Sequence, residues 1–182
     1  LKPAQGLARI CHWCPACDQP LSMQSGKKTL SCRHCGQAFR LDSTGFLSAA
    51  HGSRPFFDHP LQFVEWQRQR LAQALEDGDI VSDRCRIEFH ENLAADDAKP
   101  EKPIRCGTCT LVEDGLRFTD DQDHSEILFS LGETPALYTS IGTFADVSAN
   151  GIVWRLYPVS EGFTSIMTDY ARAIWENKNA FE

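Results

Sequence analysis

From about residue 83 onward the apolar and polar positions alternate, one stretch before residue 77 repeats every three to four residues, and before residue 50 neither period lasts. The alternation predicts strands at 84–90 (RCRIEFH), 104–112 (IRCGTCTLV), 115–119 (GLRFT), 125–131 (SEILFSL), 136–141 (ALYTSI), 143–148 (TFADVS) and 151–158 (GIVWRLYP). Turn residues separate them in EDG, DDQD, GETP and ANG, and Asn150-Gly151 is a two-residue hairpin signal. The polar stretch ENLAADDAKPEKP, 91–103, holds two prolines and is expected to be a mobile loop. The helical period predicts a helix over 58–77, with Asp58 as cap and Pro60 in the first turn. Its apolar face is expected to carry Leu61, Val64, Leu71 and Leu75, with Phe63 and Trp66 beside it, and EDGD ends it. A last helix over 163–178 has Phe163, Ile166, Tyr170 and Ile174 at helical spacing, flanked by Trp175, a face suited to covering an open side of a sheet.

These elements define an α+β chain that is mainly β. Seven antiparallel strands followed by one amphipathic helix is the plan of a pleckstrin-homology- or GRAM-like barrel with a capping helix. The expected division is a small metal-clamped ribbon at 1–50, a connector with the first helix at 51–82, and the barrel with its helix at 83–182. At 182 residues and 42% hydrophobic content the chain can bury a real core. No run of eighteen apolar residues is present and LKPAQGLARI does not read as a signal peptide, so the chain is expected to be soluble. Because it begins at Leu rather than Met, it reads as a piece of a longer protein.

The formal charge of −7 is unevenly placed: residues 1–75 hold nine Lys/Arg against four Asp/Glu, and residues 76–182 hold nine against twenty-one. The acidic second half argues against attraction to nucleic acid or anionic lipid there, while the first segment can present a modest basic face. Eight cysteines in a chain with many other core formers, four of them in short-spaced pairs, fit metal thiolates in a reducing cytoplasmic setting better than a disulfide scaffold.

The pairs stand in CPACDQPLSMQSGKKTLSCRHCG. Each Cys-x-x-Cys turn places two thiolates on one side of a tight backbone knuckle, so Cys14, Cys17, Cys32 and Cys35 together complete a tetrahedral shell. One structural zinc ion per chain is the expected occupant. Four thiolates leave no position open for water, so the site is structural and not catalytic. In CHWCPAC, Cys11 could replace a ligand of the first pair; Cys14 and Cys17 fit better because Pro-Ala and DQP resemble a knuckle and its turn. His12 and His34 lie beside ligands and either could replace one, but both are expected to face solvent or to hydrogen-bond near the metal. Cys106-Gly-Thr-Cys109 could be a redox pair, or half of a second site completed by Cys85, His90 or His124, but its strand-like flanks favour small strand residues.

No active site is evident. None of the histidines at 12, 34, 51, 59, 90 and 124 is followed by the Asp of a His-x4-Asp motif, and no Gly-x-Ser-x-Gly, phosphate-cradling glycine loop or His-Glu-x-x-His occurs. The acidic clusters at 96–97 and 120–123 read as solvated turns.

The run CRHCGQAFRLDSTGFLSAAHGSRPFFDHPLQFVEWQRQRL, followed by SDRCRIEF and by a hairpin carrying Gly107, Leu111, Gly115, Leu116 and Phe118, resembles the extension after the catalytic domain of some bacterial 1-acyl-sn-glycerol-3-phosphate acyltransferases, enzymes of phospholipid biosynthesis. The resemblance implies a non-catalytic regulatory or docking module. Only the ligands Cys14, Cys17, Cys32 and Cys35 and the packing residue Trp66 carry over, because the family's His-x4-Asp pair has no counterpart here. Its partner would be an upstream catalytic domain or another protein, with peripheral contact to the inner membrane face through Lys27, Lys28 and Arg33. The alternative is a freestanding zinc-ribbon adaptor for protein or nucleic acid, although Trp13, His34, Phe39 and Arg40 make only a thin nucleic-acid surface.

Overall fold

The computed structural model describes residues 2–92, 104–113, 115–133 and 136–179. The expected loop at 91–103 lies outside them from residue 93, as does the acidic pair at 96–97. The chain divides into two compact units, Leu1–Asp79 and Ile80–Glu182.

In the first unit four short strands pair antiparallel in chain order: β1 (Met23–Ser25), β2 (Thr29–Cys32), β3 (Ala38–Leu41) and β4 (Leu47–Ala49). Their inner face carries Met23, Leu30, Phe39, Leu41 and Leu47, all buried. Helix α1 (Pro60–Glu76) belongs to this unit, where Phe63 joins the same core and its ring lies 5.6 Å from Phe39 and 4.8 Å from Phe57. Of the expected face Leu71 is buried and Val64 packs on the core, as do Phe63 and Trp66, but Leu61 is 56% exposed and the buried stripe runs Phe63, Gln67, Leu71 and Ala74 with a polar residue in its middle. The cap differs too: the extended residue is His59, whose Nδ1 accepts the Leu61 N–H at 3.1 Å, while Gln62 Oε1 accepts the N–H groups of Asp58 and His59. Gly78, at φ 77°, ends the helix and donates to the Leu75 carbonyl.

The second unit is one seven-stranded antiparallel sheet, ordered β8-β7-β6-β5-β11-β10-β9, followed by helix α2 (Phe163–Asn179). Its strands are β5 (Ser82–Asn92), β6 (Ile104–Val112), β7 (Gly115–Asp120), β8 (Glu126–Ser130), β9 (Thr139–Ser140), β10 (Phe144–Ala149) and β11 (Ile152–Pro158). The sheet curls into a half-barrel, with α2 against its apolar face. Phe163, Ile166, Met167 and Ala171 of the helix are fully buried, as are Ile87, Leu116, Phe118, Phe129 and Leu156 of the sheet. Tyr170 is tied differently from the apolar role expected of it, its hydroxyl donating to the Val112 carbonyl at 2.8 Å. Asn150 and Gly151 both have φ > 0, as a two-residue type I′ hairpin requires. The segment 136–141 forms only the two-residue β9.

The residues that carry the resemblance in this unit are packing positions. Leu111 faces Leu116 across the hairpin, and Gly107 opposes Asp120 where the Phe118 ring lies over the strand. A Cβ on Gly107 would stand 2.7 Å from that ring and against the Thr119 carbonyl. Gly107→Ala is expected to cost about 3 kcal/mol of second-unit stability through overpacking, read as a lower denaturant midpoint. A loss under about 0.5 kcal/mol would mean that β6 and β7 pack more loosely than described.

Candidate metal centre

Two backbone turns of the same construction build the site. In the first, the Cys14 N–H donates to the Gln19 carbonyl at 3.0 Å and the Asp18 N–H to the Cys14 carbonyl at 2.9 Å. In the second, the Cys32 N–H donates to the Gln37 carbonyl at 2.8 Å and the Gly36 N–H to the Cys32 carbonyl at 3.1 Å. Each turn closes through a left-handed residue one place after its second cysteine, Asp18 at φ 55° and Gly36 at φ 80°. Hydrogen bonds from Ser22 N–H to the His12 carbonyl and from Arg33 N–H to the Ser22 carbonyl set the turns face to face.

The sulfurs of Cys14, Cys17, Cys32 and Cys35 consequently lie within 4.8 Å of one another. Cys14 Sγ is 3.6 Å from Cys35 Sγ, and Cys17 Sγ is 3.7 Å from Cys32 Sγ. These separations far exceed a disulfide bond of about 2.05 Å. They match the edge of about 3.8 Å that a sulfur tetrahedron has at a metal–sulfur distance of about 2.3 Å. The residues present therefore fit a four-coordinate metal ion.

The electrostatics prepare one sulfur more than the rest. Burial opposes ionisation of Cys32, but the Ser22 hydroxyl and the backbone N–H groups of Cys35 and His34 outweigh it and bring its thiol down to about 6. Burial raises Cys14, and burial together with Cys35 raises Cys17. Metal uptake must then expel protons from the raised thiols, so affinity falls as the pH drops.

The neighbours fall into place around the four. Cys11 is buried outside the cluster, its thiol pushed up to about 12 by burial, with its sulfur 3.9 Å from the Pro60 carbonyl. His34 is exposed and contributes its backbone N–H to Cys32 Sγ at 3.3 Å. His12 departs from expectation: it is 3% exposed, neither ring nitrogen has a partner, and burial holds it neutral, with its pKa lowered to about 3. Trp13 and Phe39 are buried and cannot stack on bases, leaving only His34 and Arg40 of that surface exposed.

Cys106 and Cys109 lie within the unbroken strand β6 on opposite faces, Cys106 exposed and Cys109 buried. Among the described residues they join no metal-ligand cluster with Cys85, His90 or His124. The acidic turn at 120–123 is not simply solvated. Asp120 is 3% exposed and accepts Arg105 Nε at 2.7 Å and the Gln122 N–H at 2.7 Å, while Asp121 pairs with Arg84. Sequence reasoning also missed Asp18, Gln67 and Arg70, each of which has a partner 52 to 57 positions away.

The profile of a family described as Trm112p-like protein matches residues 13–42, the stretch that holds both knuckles and β1 to β3. Comparison with curated proteins and with solved structures gave no match. Fold and site together define a zinc-ribbon-like unit with four cysteines placed to bind a metal ion, continuous in sequence with a curled antiparallel sheet. Among the described residues no helix is long and apolar enough to cross a membrane.

Serine at any one of Cys14, Cys17, Cys32 or Cys35 is expected to abolish stoichiometric metal, whereas Cys11→Ser, Cys106→Ser and Cys109→Ser keep it, measured by plasma mass spectrometry on purified protein. Metal lost in Cys11→Ser and retained in Cys14→Ser would reassign the first knuckle.

Proposed function

We propose that this chain is a non-catalytic docking or regulatory module, its first unit folded by one structural zinc ion, that serves a membrane-associated 1-acyl-sn-glycerol-3-phosphate acyltransferase. The observation that carries the non-catalytic reading is the closed cluster: four sulfurs fill a tetrahedral shell and leave no site for water or substrate. Zinc suits four thiolates in that geometry and supplies folding free energy without redox chemistry.

Charged groups of the second unit support the same reading, because the prominent ones are engaged with one another. Arg155 binds Asp146 at 2.7 and 2.8 Å and lies 4.0 Å over the Phe144 ring; Arg86 lies 4.0 Å over Tyr157, whose hydroxyl donates to Glu88 at 2.7 Å. The link to the acyltransferase rests on the resemblance, whose residues Trp66, Gly107, Leu111, Gly115, Leu116 and Phe118 have packing roles here. A scaffold is therefore what the resemblance transfers. The exposure of Lys27 and Lys28 in the β1–β2 turn, and of Arg33 at the second knuckle, suits contact with anionic lipid beside that enzyme.

The test is titration calorimetry of this chain against the catalytic domain of a lysophosphatidate acyltransferase, with sedimentation on vesicles of mixed anionic and neutral lipid. Saturable binding to the domain is expected, together with vesicle binding that weakens several-fold when Lys27, Lys28 and Arg33 are all neutralised. Absence of binding to the domain would contradict the docking role, unchanged sedimentation would remove the lipid contact, and transferase activity from the chain alone would overturn the non-catalytic assignment.

A further inference from the structure

The two knuckles share a backbone but not a residue at the left-handed position, and the difference has a use. Gly36 adopts φ 80° at no steric cost, while Asp18 adopts φ 55° at a cost of about 1 kcal/mol or more for a residue with a side chain. The Asp18 side chain is fully engaged. Its Oδ1 accepts Trp13 Nε1 at 3.0 Å, and its two oxygens accept Arg70 Nε at 2.8 and 2.9 Å. Arg70 stands over the Trp13 ring, 5.3 Å from its centroid, and its Nη2 reaches Asp79 Oδ2 at 3.2 Å.

One turn earlier on the same helix, buried Gln67 accepts the His12 N–H at 3.1 Å and donates to the Ile10 carbonyl. Helix α1 thus grips the chain on both sides of Cys14. The second knuckle is held differently: Arg33, His34, Cys35 and Gly36 are exposed and the Arg33 guanidinium bonds the nearby Leu21 carbonyl, while buried Gln37, which closes the turn, exchanges hydrogen bonds with the Arg54 backbone at 2.8 and 3.1 Å.

We propose that Arg70 is a positioning residue for metal retention: through Asp18 it locks the first knuckle to α1, and through Asp79 it ties that lock to the last residue of the unit. The inference rests on the reading of the four cysteines as a metal site. Neither the Arg70 nor the Asp18 side chain bonds a sulfur, so both act on the metal through the backbone of the knuckle, and the expected effect is that of a partly exposed ion pair, up to about fivefold.

The experiment loads the full chain with cobalt(II) and follows loss of the thiolate-to-cobalt absorbance after excess chelator. Arg70→Met and Asp18→Asn are each expected to speed metal loss by about fivefold. The double variant should be no faster than either single one, because both remove the same lock. Arg70→Lys, which keeps the charge but not the planar fork, should recover part of the loss. Asp79→Asn, remote from the sulfurs, should speed release by about two- to threefold, and Arg40→Met, on the outer face of the ribbon sheet, should change nothing. The proposal is overturned by rates within twofold of the parent in a folded Arg70→Met protein, or by multiplying effects in the double variant. If Arg70→Met does not fold, an unchanged rate in Asp79→Asn overturns it. Absence of the cobalt signature in the unaltered chain would instead overturn the metal reading itself.

Discussion

Four sulfurs held within 4.8 Å of one another are the constraint on which the first unit depends. As thiolates they repel, and as thiols they leave two tight turns held face to face by little more than the Ser22-to-His12 and Arg33-to-Ser22 backbone hydrogen bonds. A divalent cation reverses the sign of that interaction and makes the shared geometry its own source of stability. The four strands beside it have only three or four residues each, so their ladders cannot align the turns unaided. Aromatic packing of Phe39, Phe57, Phe63 and Trp66 belongs to the same core that Cys14 and Cys32 join, and α1 grips the first knuckle through Gln67 and Arg70.

The second unit is stabilised by other means. Its sheet buries large side chains against α2 on one face and covers the other with cation–aromatic and carboxylate contacts. Arg86, Glu88, Tyr157, Phe144, Arg155 and Asp146 lie at alternate positions of neighbouring strands, so their charges are used within the fold. An acidic chain can in this way carry arginines on an open sheet face without presenting a basic surface to anionic ligands.

Much of this was legible in the sequence, and the exceptions share a cause. The spacing of Cys14, Cys17, Cys32 and Cys35 announced the cluster because a knuckle is local and its ligand types are few. The run 104–112 appeared as β6 residue for residue, since alternation over a central strand records burial directly. Asn150-Gly151 marked its hairpin for an equally local reason. The apolar period of α1 points to Leu71, Val64, Phe63 and Trp66, which do face the core, but it also turns Leu61 inward and passes over Gln67, whose burial only its partners explain. Nothing local in the sequence marks His12, Asp18, Arg70 or Asp120, because their burial or their partners are set by tertiary placement. Residues 136–141 had the composition of a strand but form mostly irregular chain, with two residues in β9.

The central claim, that a metal ion on these four cysteines holds the first unit together, is tested most directly by amide hydrogen exchange on the full chain before and after chelation. The account predicts that chelation strips protection from both knuckles, β1 to β3 and α1, while β6, β7 and α2 keep theirs through their own core. Protection of β1 to β3 that is unchanged after the metal has gone would contradict it and assign the fold of the first unit to the aromatic core alone.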